Sequence, residues 1–132
     1  MGDLLGKVVA FEDSHPTEGF LLPAGKLVDR GFQILVVSRA REPVAPDDIG
    51  YFFTLDEENT FELTFRGEVA GGAVSKEDFL DFTHLDKKLK AQLMGVDHTV
   101  RVPLQFVSGR ADLDADITET IIDLLGHMSA KA

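Results

Sequence analysis

The chain has 132 residues, with 13 basic against 23 acidic side chains, a formal charge of −10 and a pI near 4.7. A content of 44% hydrophobic and 27% charged residues fits one folded domain rather than a disordered or collagen-like chain. Cysteine is absent, which excludes disulfide scaffolds, thiolate zinc sites, iron–sulfur clusters and cysteine nucleophiles. The negative charge opposes nucleic acid and anionic lipid, because binding to either draws on Lys and Arg.

The opening residues Met1 to Lys7 carry Asp3 before the first apolar pair and show no basic-then-apolar leader, so the expected address is the cytoplasm. No apolar run approaches the ~20 residues needed to span a bilayer. Neither a repeat nor a linker interrupts the chain, and residues 1–132 read as a single α+β domain.

The first apolar run, Leu4 to Phe11, reads as a strand that stops at the polar loop Glu12 to Gly19. Phe20, Leu21 and Leu22 form a short apolar piece before Pro23 and Gly25. From Gly31 to Arg39, Phe32, Ile34 and Val36 alternate with Leu35 and Val37, which predicts a strand apolar on both faces and hence central. Tyr51, Phe53 and Leu55, then Asp56 to Asn59, then Phe61, Leu63 and Phe65 predict an antiparallel hairpin.

Ser75 with Asp78 three residues on predicts a capped helix carrying Phe79, Phe82, Leu85, Leu89 and Leu93, with a possible break at Thr83/Asp86 and a stop at Gly95. Val100, Val102, Leu104 and Phe106 alternate as a strand whose Pro103 places it at an edge or a bulge. A last helix starts near Asp116, with Ile117, Ile121, Leu124, Leu125 and Met128 on one stripe that would pack on the sheet or on a second subunit. The expected fold is therefore α+β: a largely antiparallel sheet of about five strands with two helices from the C-terminal half on one face.

Chemistry-bearing residues are sparse. Loop 12–18 gathers Glu12, Asp13, Ser14, His15 and Glu18, and loops are where sites often lie. His98 beside Asp97 could meet that loop in space, making His15, Asp13, His98 and Asp97 the catalytic candidates. His84 falls on the polar helix face, and His127 sits four residues after Asp123, where it serves the helix dipole. Asp112, Asp114, Asp116 and Asp123 imitate a calcium loop but lack its Gly at position six and Glu at position twelve, so capping accounts for them. Gly71 to Lys76 runs into a helix start without P-loop spacing. No G-x-S-x-G setting supports serine hydrolysis, and no metal or cofactor is assigned.

Between Glu42 and Glu68 eight carboxylates face the single Arg66, a net −7. Asp47, Asp48, Asp56, Glu57 and Glu58 are accordingly the candidates for docking a basic protein partner. Size and the broad stripe of the last helix suggest a homodimer. The leading reading is a small acidic interaction module without catalysis, such as an adaptor, inhibitor or chaperone-like protein. The alternative is a small-molecule binder or cofactorless enzyme, with an apolar pocket lined by the ten Phe and a His/Asp pair at its mouth.

Overall fold

The computed structural model describes residues 2–15, 17–85, 91–102 and 108–127. The chain divides into two compact units, Met1–Val100 and Arg101–Ala132, and the sheet lies in the first. Its strands are β1 (Val8–Phe11), β2 (Gln33–Val36), β3 (Asp48–Phe53) and β4 (Gly71–Ala73). They stand in the order β2-β3-β1-β4, and every pair is parallel.

β1 sets this arrangement, because none of its four residues is more than 5% exposed. Side chains alternate across a strand, so Val9 and Phe11 enter one core and Val8 and Ala10 another. Both faces must then be covered, the condition under which parallel sheets occur. The first cover is α1 (Leu22–Asp29), whose Ala24 and Leu27 join Val9, Phe11 and Ile49, with Phe20, Tyr51 and Phe53 packed around them. The second is built from Val37, Ala40 and Val44 of the β2–β3 connection and from Leu63 of α2 (Glu57–Phe65). Crossover α1 carries the chain from β1 past β3's position to β2, while α2 carries it from β3 past β1 to β4. Crossovers of one hand running in opposite directions put their helices on opposite faces.

The antiparallel, five-stranded expectation is thus overturned: the sheet has four parallel strands, and the helices are spread through the chain rather than confined to its second half. Two local misreadings explain it. Pro23 and Gly25 read as breakers, yet Pro23 occupies the first turn of α1, directly after a π-helical turn. The supposed hairpin turn Asp56 to Asn59 is the cap and first turn of α2. Thr60 and Phe61 are its buried residues, and the Thr60 methyl lies against Gly72 of β4. Short apolar runs do not separate strand from helix by period alone.

β2, expected at the centre, is an edge strand on which Leu35 and Val36 are exposed. Of the later strand, residues 99–102 form no ladder and 103–107 lie outside the described residues. The Ser75 helix exists as α3 (Lys76–Leu85); Asp86 and Leu89 lie outside the description. In the second unit, Asp114 Oδ1 accepts from Asp116 N at 2.9 Å at the start of α4 (Ala115–His127), and Arg110 grips Asp112 at 2.9 and 3.0 Å. Asp114 thus caps the helix, as read from the sequence, whereas Asp112 serves an ion pair that the sequence reading did not foresee. At the far end His127 Nδ1 lies 3.3 Å from Asp123 Oδ1, also as read.

Gly72 shows how closely α2 seats on β4: a Cβ there would stand 2.5 Å from Thr60 Cγ2 and 3.0 Å from Thr64 Oγ1. Gly72→Ala is expected to lower stability by about 1–3 kcal/mol through overpacking, measured by urea denaturation. A loss below about 0.5 kcal/mol, the level of an ordinary surface substitution, would show that α2 shifts freely on the sheet.

Candidate functional site

Because the strands are parallel, β1, β3 and β4 all deliver their C-terminal ends to one edge. The chain leaves β1 toward one side and β3 toward the other, so this edge contains the topological switch point, the place where open α/β sheets bind ligands. Three segments meet there: the loop opening at Glu12, the turn Thr54-Leu55-Asp56, and the Val74-Ser75 entry to α3.

Buried hydroxyls hold the middle segment. Thr54 Oγ1 lies 2.6 Å from Thr60 Oγ1, 3.2 Å from Phe11 O and 2.9 Å from Asp56 O, which ties the end of β3 to both β1 and α2. Thr54 N and Leu55 N donate to Phe11 O and Glu12 O at 2.9 and 2.7 Å, carrying the pairing one residue past β1 and two past β3. Asp56 caps α2, accepting from Asn59 N at 2.7 Å and from Asn59 Nδ2 at 2.9 Å. At α3 Ser75 is the cap, as expected: Asp78 N donates to Ser75 Oγ at 3.0 Å, and Ser75 Oγ in turn donates to Asp78 Oδ2 at 2.6 Å.

The first segment is open. Ser14 Oγ lies 3.1 Å from Asp13 Oδ1 and 3.2 Å from His15 Nδ1, while the His15 side chain is 89% exposed. Hydrogen bonds from the Ser14 N–H and hydroxyl hold the Asp13 carboxyl below the usual carboxylate range. A π-helical turn, Thr17–Leu21, follows and runs without interruption into α1, since Leu21 already has helical angles (φ −60°, ψ −45°). The amino end of this helical run therefore lies at Thr17 to Gly19, beside Ser14 and His15 on the loop. Glu12 at the root of the loop is partly desolvated and faces Glu57, Asp78, Glu18 and Asp13, which together raise its pKa.

Asp97 and His98 belong to a different place, packed along α1. Asp97 accepts from Lys26 Nζ at 2.7 Å and pairs with Arg30 Nη1 at 3.0 Å; Lys26 also donates to His98 O. Leu21, Leu22, Gly25, His98, Thr99 and Val100 line a shallow groove there. Among the described residues, the partners of the His15 pair and those of the His98 pair do not overlap.

The acidic candidates are divided as well. Asp47 and Asp48 stand at the N-terminal end of β3, while Asp56, Glu57 and Glu58 stand beyond its C-terminal end, roughly 17 Å of strand away. The aromatic rings fill space against each other, with Phe20 centroids 5.2 Å from Phe11 and 5.0 Å from Phe53, and Phe61 4.3 Å from Phe82. Sequence reasoning missed Thr54, Thr60 and Leu55. Residues 51–65 read as a hairpin in which neither threonine was singled out, and only the parallel topology brings Thr54 and Thr60 to the switch-point edge. Among the described residues no group of three His, Asp or Glu side chains is arranged to hold a metal.

A parallel sheet with its switch point beside an open helical turn defines a class of α/β binding domain. The family comparison makes the class specific: residues 1–132 match the model of the ABC transporter, phosphonate, periplasmic substrate-binding protein family, and the chain belongs to that family. Two solved structures are similar, both of XAC2383 from Xanthomonas citri. The form bound to chloride ion has 26% identity over 77% of this chain and 37% of that one, with a TM-score of 0.71. The form bound to ATP has 25% identity over 76% and 36%, with a TM-score of 0.70. This chain thus spans little more than a third of XAC2383. No curated protein matches it.

The family is one of substrate-binding proteins of transporters rather than of catalysts, in line with the sequence reading that leaned away from an enzyme. It favours the small-molecule reading over the interaction module. It also overturns the expected cytoplasmic address, since the matched family is periplasmic. Among the described residues no helix is long and apolar enough to cross a membrane.

The Lys26–Asp97–Arg30 cluster yields a pH expectation. The Lys26 hydrogen bond, then the His98 N–H, lower the Asp97 pKa to about 2. A depressed pKa gives stabilisation that is complete above the usual carboxylate value of about 3.9 and is lost as pH falls through the folded value. The Asp97 carboxyl carbon, followed by NMR, should therefore titrate at about 2 rather than at about 3.9. Asp97→Asn should shift the Lys26 and Arg30 side-chain resonances at neutral pH as acidification does in the wild type; an Asp97 midpoint of about 3.9 would show that the ion pairs do not form in solution.

Proposed function

We propose that the Met1–Val100 unit binds a small phosphonate- or phosphate-bearing molecule at the carboxyl edge of its sheet, as part of a transporter's substrate-binding component. The observation that carries this is the switch point between β1 and β3, at which the helical run beginning at Thr17 opens toward the edge. α2 and α3 spend their first N–H donors on their own caps, Asp56 and Ser75. The N–H groups of Thr17 to Gly19, with the Thr17 hydroxyl and the His15 ring, form the donor set offered to an anion. The family description and the anionic ligands of XAC2383, chloride and ATP, support the same sign of charge.

Glu12 works against such a ligand. Desolvation and the surrounding Glu57, Asp78, Glu18 and Asp13 already raise its pKa, and a bound anion adds to the repulsion. Titrating the full chain with methylphosphonate should give saturable amide shifts concentrated in residues 12–19. Glu12→Gln should tighten binding by about two- to five-fold at neutral pH, the size of one screened charge. Wild-type affinity should rise as pH falls through the raised Glu12 pKa, and the glutamine variant should lack that step. Shifts that stay absent up to on the order of 10 mM ligand, or that gather at residues 47–58 instead, would reject the assignment.

A further inference from the structure

Leu55 is the one non-glycine among the described residues with a positive φ, at 73°. The left-handed region crowds a Cβ against the backbone and costs roughly 1–2 kcal/mol for an ordinary L-residue. Leucine has no polar side-chain atom with which to offset that cost locally, as Asn or Asp does. Its side chain does not gain shelter in exchange either, since Leu55 is 79% exposed.

The surroundings enforce the geometry from both sides. Leu55 N donates to Glu12 O at 2.7 Å, the Thr54 hydroxyl reaches Asp56 O at 2.9 Å, and Asn59 Nδ2 donates to Thr54 O at 3.2 Å. Residues held in sparsely populated backbone regions by such over-determination gather at ligand clamps. Leu55 stands between the root of the Glu12 loop and the first turn of α2, at the switch point itself. A strained backbone there displays an isobutyl group to solvent at the edge where the ligand would lie.

We infer that Leu55 is a specificity-determining contact for the organic substituent of the bound phosphonate. This rests on the binding reading of the preceding subsection and deepens it. A phosphonate has two chemically distinct ends: the charged oxygens, which need N–H and O–H donors, and the carbon group on phosphorus, which needs an apolar surface. The His15 ring and the Thr17 to Gly19 segment offer the first and Leu55 the second. Removing apolar area from water favours binding in proportion to that area, so each methylene that covers Leu55 tightens the complex.

The test compares methylphosphonate with butylphosphonate on the wild-type chain and on Leu55→Gly and Leu55→Ala, reading the ratio of the two Kd values by calorimetry or amide-shift titration. In the wild type each added methylene is expected to tighten binding by about two- to four-fold. Both variants should lose most of that dependence on chain length. Leu55→Gly, which relieves the positive φ, should also melt higher than Leu55→Ala, so that loss of contact is separated from loss of fold. A butyl-to-methyl ratio unchanged in both variants would overturn the inference while leaving the anion site standing. Failure of the wild type to bind either compound would remove the underlying reading and this inference with it.

Discussion

The burial of β1 on both faces is the constraint from which the rest follows. Four residues, Val8 to Phe11, send side chains alternately into two cores, and neither core can be left wet. One face takes α1, the other takes the β2–β3 connection and α2, and a strand so covered is flanked by parallel neighbours reached through crossovers. Opposite crossovers on opposite faces then open the sheet at one edge only. The position of the candidate site is therefore a consequence of core packing rather than of any single polar residue.

Electrostatics refine what that edge can hold. A chain of net charge −10 gives an approaching anion no long-range attraction, and Glu12, Asp13, Glu18, Glu57 and Asp78 lie close to the edge. An anion must be held by short-range donors whose directions are set by the backbone, and backbone N–H groups at a helical start supply those without adding net charge. The caps on α2 and α3 matter for the same reason. By closing their own first turns, Asp56 and Ser75 leave the Thr17 turn as the open donor group among the three.

Much of the local chemistry was legible in the sequence, and the topology was not. The Ser75–Asp78 cap, the Asp123–His127 pair and the acids at the start of α4 announce themselves by fixed offsets, since they depend only on near neighbours in the chain. Loop 12–18, which holds Asp13 and His15, stood out by its density of polar groups. What misled was tertiary context. Pro23 breaks a helix interior but suits a first turn, and Asp56 to Asn59 suits a hairpin turn and a helix start equally. Phe61 and Phe65 satisfy both a period of two and a spacing of four. With α1 and α2 unread, no crossover was available, and a parallel sheet could not be drawn. The compartment was invisible for a different reason, since it is a property of the family and not of folding physics.

Two local rules are broken among the described residues, and both breaks lie on the same edge. The π-helical turn at Thr17–Leu21 widens the helical run just ahead of Pro23, whose missing N–H bars a regular continuation, and Leu55 takes a backbone region that glycine would occupy at lower cost. The glycines with positive φ, Gly6, Gly31 and Gly67, follow the ordinary rule in turns elsewhere. A chain under selection for stability alone would place glycine at position 55. Sequences that are locally consistent throughout and depart from consistency at one place mark that place as the one shaped by something other than folding. Both departures lie beyond strand ends, one after β1 and one after β3, at the switch point where we place the proposed ligand, and packing of the core does not account for the strain at Leu55.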